Sequence, residues 1–201
     1  MKVVVVGATG TIGSAIVEEL ERRHDVVRVG NTRGKINVDL ASHESIEALF
    51  AQVGPFDALV SAAGEAKFAP LEKLTNDDFL LGFSNKLLGQ INLVRLGMLT
   101  ARDGGSFTLT SGVLASEPMP GSSAISPVNA GVEGFVRASA LELTRGMRIN
   151  VVSPPWVSET LTAMGMDPSG GMPAKRLATV YAGCLEGKQN GQVIDARKAA
   201  R

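Results

Sequence analysis

Residues 1–13 have the sequence MKVVVVGATGTIG, and the rest of the chain follows the pattern that they begin. Val3–Val6 is an apolar run with no polar residue in between, which is typical of a parallel strand buried on both faces. Three glycines follow it, at Gly7, Gly10 and Gly13. Glycines let a backbone pass close to a bulky anionic group, and the helix that begins here offers free N–H groups. Strand, glycine turn and helix together predict a dinucleotide-binding site.

Length and composition exclude several classes of protein. The chain of 201 residues fits one domain, 1–201, and equal numbers of Lys+Arg and Asp+Glu give no electrostatic case for nucleic acid or an anionic membrane. Cys184 is the single cysteine, so we expect neither a disulfide framework nor a metal site. We expect a cytoplasmic protein, because no apolar stretch is long enough to span a membrane and the N-terminus lacks a secretory signal. His24 and His43 flank polar or charged residues and are interpreted as surface residues.

Strands and helices alternate along the chain. Predicted strands after the first lie at 24–30, 35–40, 56–60, 106–110, 148–152 and 191–195. Predicted helices after the first lie at 42–52, 76–102, 126–145 and 174–185, with 158–172 irregular and 196–201 frayed. This alternation predicts a single α/β domain with a doubly wound, Rossmann-like parallel sheet of about seven strands. Its ligand is expected at the carboxyl ends of the strands.

The motifs resemble the short-chain dehydrogenase/reductase family, in the right order and over nearly the whole length. The helix signature of that family is matched by 130–138, AGVEGFVRA, and its Asn-x-x-x-Pro-Gly segment by 150–155, NVVSPP. Ala62-Ala63-Gly64 takes the place of its Asn-Ala-Gly. The resemblance implies a nicotinamide cofactor held by the motif residues Gly7, Thr9, Gly10, Thr11, Ile12, Gly13, Asn31, Thr32, Arg33, Asp39, Leu40, Ala62, Ala63, Gly64, Asn129, Pro154, Pro155 and Val157.

The end of the second strand bears on the choice of cofactor. An NAD enzyme commonly places Asp or Glu there to bind the ribose hydroxyls. This chain has Gly30-Asn31-Thr32-Arg33 instead, so no carboxylate repels a 2′-phosphate and Arg33 can pair with one. We therefore favour NADP(H) over NAD(H). The alternative is that Arg33 is a solvated turn residue.

The catalytic pair of the family is absent. A Tyr that acts as general acid or base, and a Lys one helical turn later, are replaced by Ile125 and Asn129. Ile has no transferable proton, and Asn can hydrogen-bond a ribose but carries no charge. The single tyrosine, Tyr181, lies at helical spacing with Leu177 and Cys184, which indicates packing. A displaced acid is the alternative for Tyr181.

Ser111 and Lys86 remain as catalytic candidates. Ser111 matches the family serine that contacts the substrate carbonyl, although a serine at a strand end can merely satisfy backbone groups. Lys86 takes the place of a family Asn three residues before Gly89, and a shift of one residue would place Asn85 there. We hypothesise that Lys86 supplies the missing charge, and a proton if burial lowers its pKa; the alternative is a Lys with its head in water. Glu159 is a possible acid or ligand contact, or else an acid at a helix start.

The apolar pattern of the helix in the middle of the chain predicts an oligomer. Apolar residues between Leu87 and Leu99 cover more than one stripe, and the family pairs this helix and the next across a twofold axis. We expect a homodimer or homotetramer formed through the helices near 85–101 and 126–145. Three functions stay open: an NADP-dependent oxidoreductase of a carbonyl or alcohol substrate with an altered proton donor, a non-catalytic NADP-binding sensor or partner-binding module, and a lyase or isomerase that reuses the crevice.

Overall fold

The computed structural model describes residues 1–199, in which strands and helices alternate. The strands are β1 (Lys2–Val6), β2 (Asp25–Gly30), β3 (Ile36–Asn37), β4 (Phe56–Ser61), β5 (Ala101–Thr110), β6 (Arg148–Ser153) and β7 (Val193–Asp195). The helices are α1 (Thr11–Leu20), α2 (His43–Val53), α3 (Asn76–Leu81), α4 (Gly89–Thr100), α5 (Ile125–Ser139), α6 (Ser158–Ala163), α7 (Ala174–Glu186) and α8 (Ala196–Ala199). A π-helical segment, Gly82–Leu88, joins α3 to α4.

The seven strands form one parallel sheet in the order β3-β2-β1-β4-β5-β6-β7. The chain builds one half of the sheet from β1 outward through β2 and β3, and then crosses to β4 on the other side of β1. The strand order therefore reverses between β1 and β4, and a ligand crevice is expected at the carboxyl ends of these strands. The predicted doubly wound fold and the number of strands are confirmed.

The valine run of β1 explains why the sheet is covered on both faces. Val4 and Val6 point into one core layer, which they share with α2, α4 and α5. Val3 and Val5 point into the other layer, which is formed mainly with α1 and α7. All four side chains are at most 1% exposed. Successive residues of a strand face opposite sides, so both faces need apolar residues.

Two predicted strand boundaries are wrong, one in the edge strand β3 and one in the interior strand β5. β3 pairs with β2 only through Ile36–Asn37 instead of 35–40. Asp39 already belongs to a turn, in which its carbonyl oxygen accepts from the Ser42 N–H. β5 begins at Ala101, where 76–102 was predicted to be helical, because Ala101 adopts an extended backbone and pairs with Phe56. The register between β4 and β5 then shifts beyond Phe56, which marks a bulge.

The carboxyl-terminal third differs from the prediction in the bounds and number of its helices. α5 ends at Ser139 instead of 145, and residues 158–172, predicted to be irregular, contain the short helix α6. Residues 196–199 form α8 rather than a frayed tail, and Ala196 is fully buried. Residues 200 and 201 of the predicted tail lie outside the described part of the chain.

The two histidines differ in their surroundings. The His43 side chain is 46% exposed, as expected, whereas that of His24 is only 10% exposed. The Nε2 atom of His24 lies 2.9 Å from Glu186 Oε1, so the interpretation of His24 as a surface residue is wrong.

Within residues 1–199, no helix has both the length and the hydropathy that crossing a bilayer requires.

Candidate active site

The glycine turn after β1 opens the crevice. Gly7 has φ +85°, and a Cβ atom there would lie 2.7 Å from the Ala62 carbonyl oxygen. A Cβ atom on Gly13 would lie 2.0 Å from the Gly7 carbonyl oxygen. Gly7 and Gly13 therefore allow turn, α1 and β4 to pack closely. A Cβ atom on Gly10 would meet only the Gly7 oxygen at 3.4 Å, so Gly10 instead keeps the turn open toward the groove.

The N-terminus of α1 is suited to an anion. Gly10 occupies the N-cap position and offers no side-chain acceptor to the N–H groups of the first turn. That turn contains no acidic residue, so its donors and the positive end of the helix dipole have no carboxylate partner of their own there. A phosphate group at this helix end gains both interactions.

One half of the crevice, which we call the outer groove, starts at this turn. Its cavity measures about 190 Å³ and is lined by Val6, Gly7, Thr9, Gly10, Gly30, Asn31, Val38, Leu40, Ala62, Ala63, Gly64, Glu65 and Asn85. Asn85 itself is occupied, because its Oδ1 accepts from the Glu65 N–H at 2.9 Å. The structure thus gathers most of the predicted cofactor residues of β1, β2 and β4 along one trough, and a dinucleotide fits this lining of glycines and small residues.

Arg33 lies beside the mouth of the outer groove. Its Nη2 atom donates to the Thr9 carbonyl oxygen at 3.4 Å, which is a weak contact. Asn31, Thr32 and Arg33 are all exposed and no carboxylate stands among them. The guanidinium group is therefore free to turn toward an anionic group near Thr9.

Some predicted cofactor residues lie outside the groove lining. The Asp39 carboxylate is exposed and accepts from the Ala41 N–H at 2.9 Å, while its neighbour Leu40 lines the outer groove. Thr11 is exposed in the first turn of α1, and Gly13 is buried under it and acts in packing. Asp39, Thr11 and Gly13 therefore line neither half of the crevice.

The other half of the crevice, the inner groove, continues past Ala62–Gly64. Its cavity measures about 210 Å³. It is lined by Ile12, Ala62, Ala63, Gly64, Lys86, Thr110, Ser111, Gly112, Val113, Leu114, Ile125, Asn129, Pro154, Pro155, Trp156, Val157 and Thr160. The predicted residues Asn129, Pro154, Pro155 and Val157 therefore meet here. Lys86 is the one side chain in this lining whose ordinary pKa allows it to exchange a proton in water.

Lys86 is held at the floor of the inner groove. Its Nζ atom donates to Asn129 Oδ1 at 2.7 Å and to the Ser111 carbonyl oxygen at 3.1 Å. The residue is 8% exposed, and burial lowers its pKa from 10.5 to about 8. The alternative of a lysine with its ammonium group in water is therefore wrong. Burial lowers the pKa of Lys86, which is the condition under which we expect it to supply a proton.

Ser111 is placed differently from the sequence expectation. Its hydroxyl group donates to Glu133 Oε1 at 3.1 Å, and Glu133 lies on α5 outside the groove lining. The residue that presents an open backbone to the groove next to Asn129 is Gly112. Sequence reasoning missed Gly112, and its position directly after Ser111 at the end of β5 is the signal that could have found it.

Two other acid candidates have structural partners. Both carboxylate oxygens of Glu159 accept from the Ala174 N–H, at 3.0 and 3.1 Å, at the start of α7. Glu159 is also in the first turn of α6, as the alternative predicted. The Tyr181 hydroxyl is fully buried 2.7 Å from Thr110 Oγ1, and burial raises its pKa. Tyr181 is a packing residue, as its helical spacing indicates.

Among residues 1–199, no three His, Cys, Asp or Glu side chains are grouped so that they could hold a metal ion.

Comparison with known sequences relates nearly the whole chain to one family. A sequence model described as Enoyl-(Acyl carrier protein) reductase matches residues 2–183. Hydroxynaphthalene reductase arp2 of Aspergillus fumigatus is 29% identical over 181 residues, which are 78% of this chain and 66% of the relative. A 3-oxoacyl-[acyl-carrier-protein] reductase of Rattus norvegicus is 30% identical over 60% of this chain and 52% of the relative. The chain spans between about a half and two thirds of the length of these curated relatives.

Solved structures match the fold over nearly its full length. The protein lin1944 from Listeria innocua is 38% identical, with a TM-score of 0.93 over 97% of this chain and 98% of that one. A small-chain dehydrogenase in complex with NADPH is 25% identical, with a TM-score of 0.85 over 97% of this chain and 95% of that one. The family match over residues 2–183, the glycine turn and the strand order all point to the same family. The chain belongs to the short-chain dehydrogenase/reductase family of oxidoreductases.

Proposed function

We propose that the protein is an NADP(H)-dependent oxidoreductase that interconverts carbonyl compounds and alcohols, with Lys86 as its proton donor. The observation that carries the proposal is the placement of Lys86, whose Nζ atom reaches the inner groove between Asn129 and Ser111. The curated relatives are named as reductases, and the solved small-chain dehydrogenase was crystallised with NADPH. Both facts support a nicotinamide cofactor here.

The cofactor would lie along the crevice. The glycine turn and the N-terminus of α1 would hold its pyrophosphate, because they offer N–H donors and no competing acid. Arg33 would pair with a 2′-phosphate, which favours NADP(H) over NAD(H). Asn129, Pro154, Pro155 and Val157 would line the reactive end. When bound, the cofactor supplies or accepts a hydride.

Lys86 performs the complementary proton transfer. In the direction of reduction, its ammonium group donates a hydrogen bond and then a proton to the carbonyl oxygen, while hydride reaches the carbonyl carbon. Neutral Lys86 is then reprotonated from water. A donor with a pKa near 8 is well matched to proton transfer near neutral pH. Leu114, Ile125 and Trp156 line the same groove and place apolar side chains around the reacting group.

Two measurements on the wild-type protein test the proposal. NADPH and NADH are titrated by cofactor fluorescence, and a panel of aldehydes and ketones is then scanned for loss of NADPH absorbance. We expect saturable binding, with NADPH tighter than NADH, and turnover of at least one carbonyl compound. If the protein binds neither NADPH nor NADH, the whole proposal is overturned.

A second function is favoured by one observation. The positions that hold the catalytic Tyr and Lys of the family are Ile125 and Asn129, and both line the inner groove without a transferable proton. A non-catalytic NADP-binding sensor would have this composition. Tight NADPH binding with no turnover across a broad carbonyl panel would favour the sensor, whereas turnover would exclude it. Conversion of an activated substrate without cofactor would instead indicate a lyase or isomerase.

A further inference from the structure

Three positions surround the side chain of Lys86: Asn129, Gly64 and Gly112. We call this arrangement the socket. The lysine comes from the π-helical segment and its hydrogen-bond acceptor Asn129 from α5, so the contact joins two different helices. Both residues are buried, at 8% and 1% exposed. The 2.7 Å distance from Lys86 Nζ to Asn129 Oδ1 is that of a strong, charge-assisted hydrogen bond.

Gly64 makes room for the stem of Lys86. A Cβ atom on Gly64 would lie 2.6 Å from Lys86 Cγ and 2.8 Å from Lys86 Cβ. Gly64 also has φ +125°, a conformation that other residues rarely adopt. The bare backbone after β4 therefore allows the lysine to pass beneath it into the inner groove.

Gly112 makes room for the amide of Asn129. Its φ of 164° is extended backbone that any residue can adopt, so conformation does not explain the glycine. A Cβ atom there would lie 2.8 Å from Asn129 Nδ2. A side chain at position 112 would push the amide away, and with it the oxygen that accepts from Lys86.

We propose that Asn129 is a positioning residue, which with the space left by Gly64 and Gly112 holds the Lys86 ammonium group at the floor of the inner groove. The catalytic meaning of this socket rests on the proposed function. The position and charge state of Lys86 do not, because both can be measured without cofactor or substrate.

In the described part of the chain, the titratable groups on the neighbouring elements make no hydrogen bond or ion pair with the Lys86 ammonium group. Glu133 on α5 accepts from Ser111 Oγ and pairs with Arg137 at 3.3 Å. Glu65, after β4, is exposed, and its backbone N–H donates to Asn85. The Tyr181 hydroxyl, from α7, contacts Thr110. The neutral amide of Asn129 is thus the polar side chain that contacts the Lys86 ammonium group directly, and changing its charge should change the protonation of Lys86.

Competitive acetylation of the lysines, read by peptide mass spectrometry between pH 6 and 11, tests this inference. In wild type we expect the reactivity of Lys86 to rise with a midpoint near pH 8. Asn129→Asp places a carboxylate beside the ammonium group and should move the midpoint up by roughly one pH unit or more. Asn129→Leu removes the acceptor and should move it down by roughly half a unit or more. The exposed lysines Lys35 and Lys188 serve as internal controls that should not move.

Two glycine-to-alanine substitutions, at Gly112 and Gly134, give a test variant and its matched control. Gly112→Ala should displace the Asn129 amide and shift the Lys86 midpoint in the direction of Asn129→Leu. Gly134→Ala lies on α5 with open space around its new methyl group and should leave the midpoint unchanged. Circular dichroism checks folding, and if Asn129→Leu does not fold, Asn129→Asp and Gly112→Ala carry the test. An unmoved Lys86 midpoint in both of these variants would overturn the positioning role. If the wild-type protein shows no turnover but the Lys86 midpoints shift as expected, only the proposed function is overturned.

Discussion

Lys86 combines three properties that a proton donor needs. It is buried, it lines the inner groove, and two acceptors hold its Nζ atom, the Ser111 carbonyl oxygen just after β5 and the Asn129 amide oxygen on α5. Burial lowers its pKa because the interior disfavours the charged ammonium form. At the residue scale, the proposed proton transfer therefore depends on the protonation of this side chain.

The pH dependence of turnover follows from this pKa. The ammonium form donates the proton and prevails below about pH 8, and the neutral form prevails above it. For carbonyl reduction, we expect kcat/KM to stay level up to about pH 8 and then to fall about tenfold per pH unit. Alcohol oxidation should show the opposite dependence, since it needs the neutral amine. A profile of reduction that stays level up to pH 10 would contradict a donor role for Lys86.

Arg33 tests the choice of cofactor. Arg33→Ala removes the one cation of the Asn31–Arg33 turn, so we expect NADPH to bind roughly tenfold more weakly while NADH binding stays nearly unchanged. The loss should shrink at high salt, because the group is exposed. Arg22→Ala is the control, because Arg22 lies just after α1 and pairs with Glu18 and Glu19 of that helix. Equal weakening of both cofactors would assign Arg33 a structural role only.

The residue types of the site were more predictable than the directions of its side chains. The glycine turn and Lys86 could be found from the sequence, because strand ends and helix spacing determine which backbone positions reach the crevice. The hydroxyl of Ser111 could not, because its orientation depends on Glu133, which lies on a helix 22 residues further along the chain. The role of Gly112 depends likewise on the space that the Asn129 amide occupies.

At the element scale, the π-helical segment is the feature that sequence periodicity did not predict. Residues 76–102 were expected to form one helical region, and Gly82–Leu88 instead has the wider π turn between α3 and α4. Apolar spacing at a period of 3.6 residues cannot locate such a segment, because one extra residue per turn changes which side chains share a face. Gly82 and Lys86 are its buried residues.

Tyr181 gives a prediction about α7. Tyr181→Phe removes the hydroxyl that contacts Thr110 Oγ1 but keeps the ring in the core. Because a typical buried hydrogen bond contributes about 0.5–1.5 kcal/mol, we expect the free energy of unfolding to fall by that amount. Cofactor affinity and kcat should stay within about twofold of wild type. Denaturant unfolding and steady-state kinetics measure the two effects, and a large loss of kcat with unchanged stability would make Tyr181 the displaced acid.

For the whole molecule, the order of secondary structure was enough to predict the fold. Buried apolar strands that alternate with amphipathic helices leave few topologies, and the position of β1 between β2 and β4 places the glycine turn where the strand order reverses. The short β3 and the early start of β5 were not predictable, because both depend on how edge and neighbouring strands pair.

The helices on one side of the sheet leave apolar side chains exposed. Leu88, the last residue of the π-helical segment, and Leu99 on α4 are 49% and 77% exposed, and Leu141, just after α5, is 88% exposed. We propose that a second copy of the chain covers this surface. Light scattering should show a dimer or tetramer, and Leu88→Glu with Leu99→Glu should dissociate it. A wild-type monomer at micromolar concentration would contradict the proposal.

Hydride transfer in this crevice, with Lys86 as proton donor, is the function that we propose. Single-turnover oxidation of bound NADPH by a carbonyl substrate of the wild-type protein, compared with Lys86→Met, tests it most directly. We expect the variant to bind NADPH with a Kd within about threefold of wild type and to transfer hydride about 10²–10⁴-fold more slowly, as loss of a general acid typically does. An equal rate in the two proteins would contradict the claim.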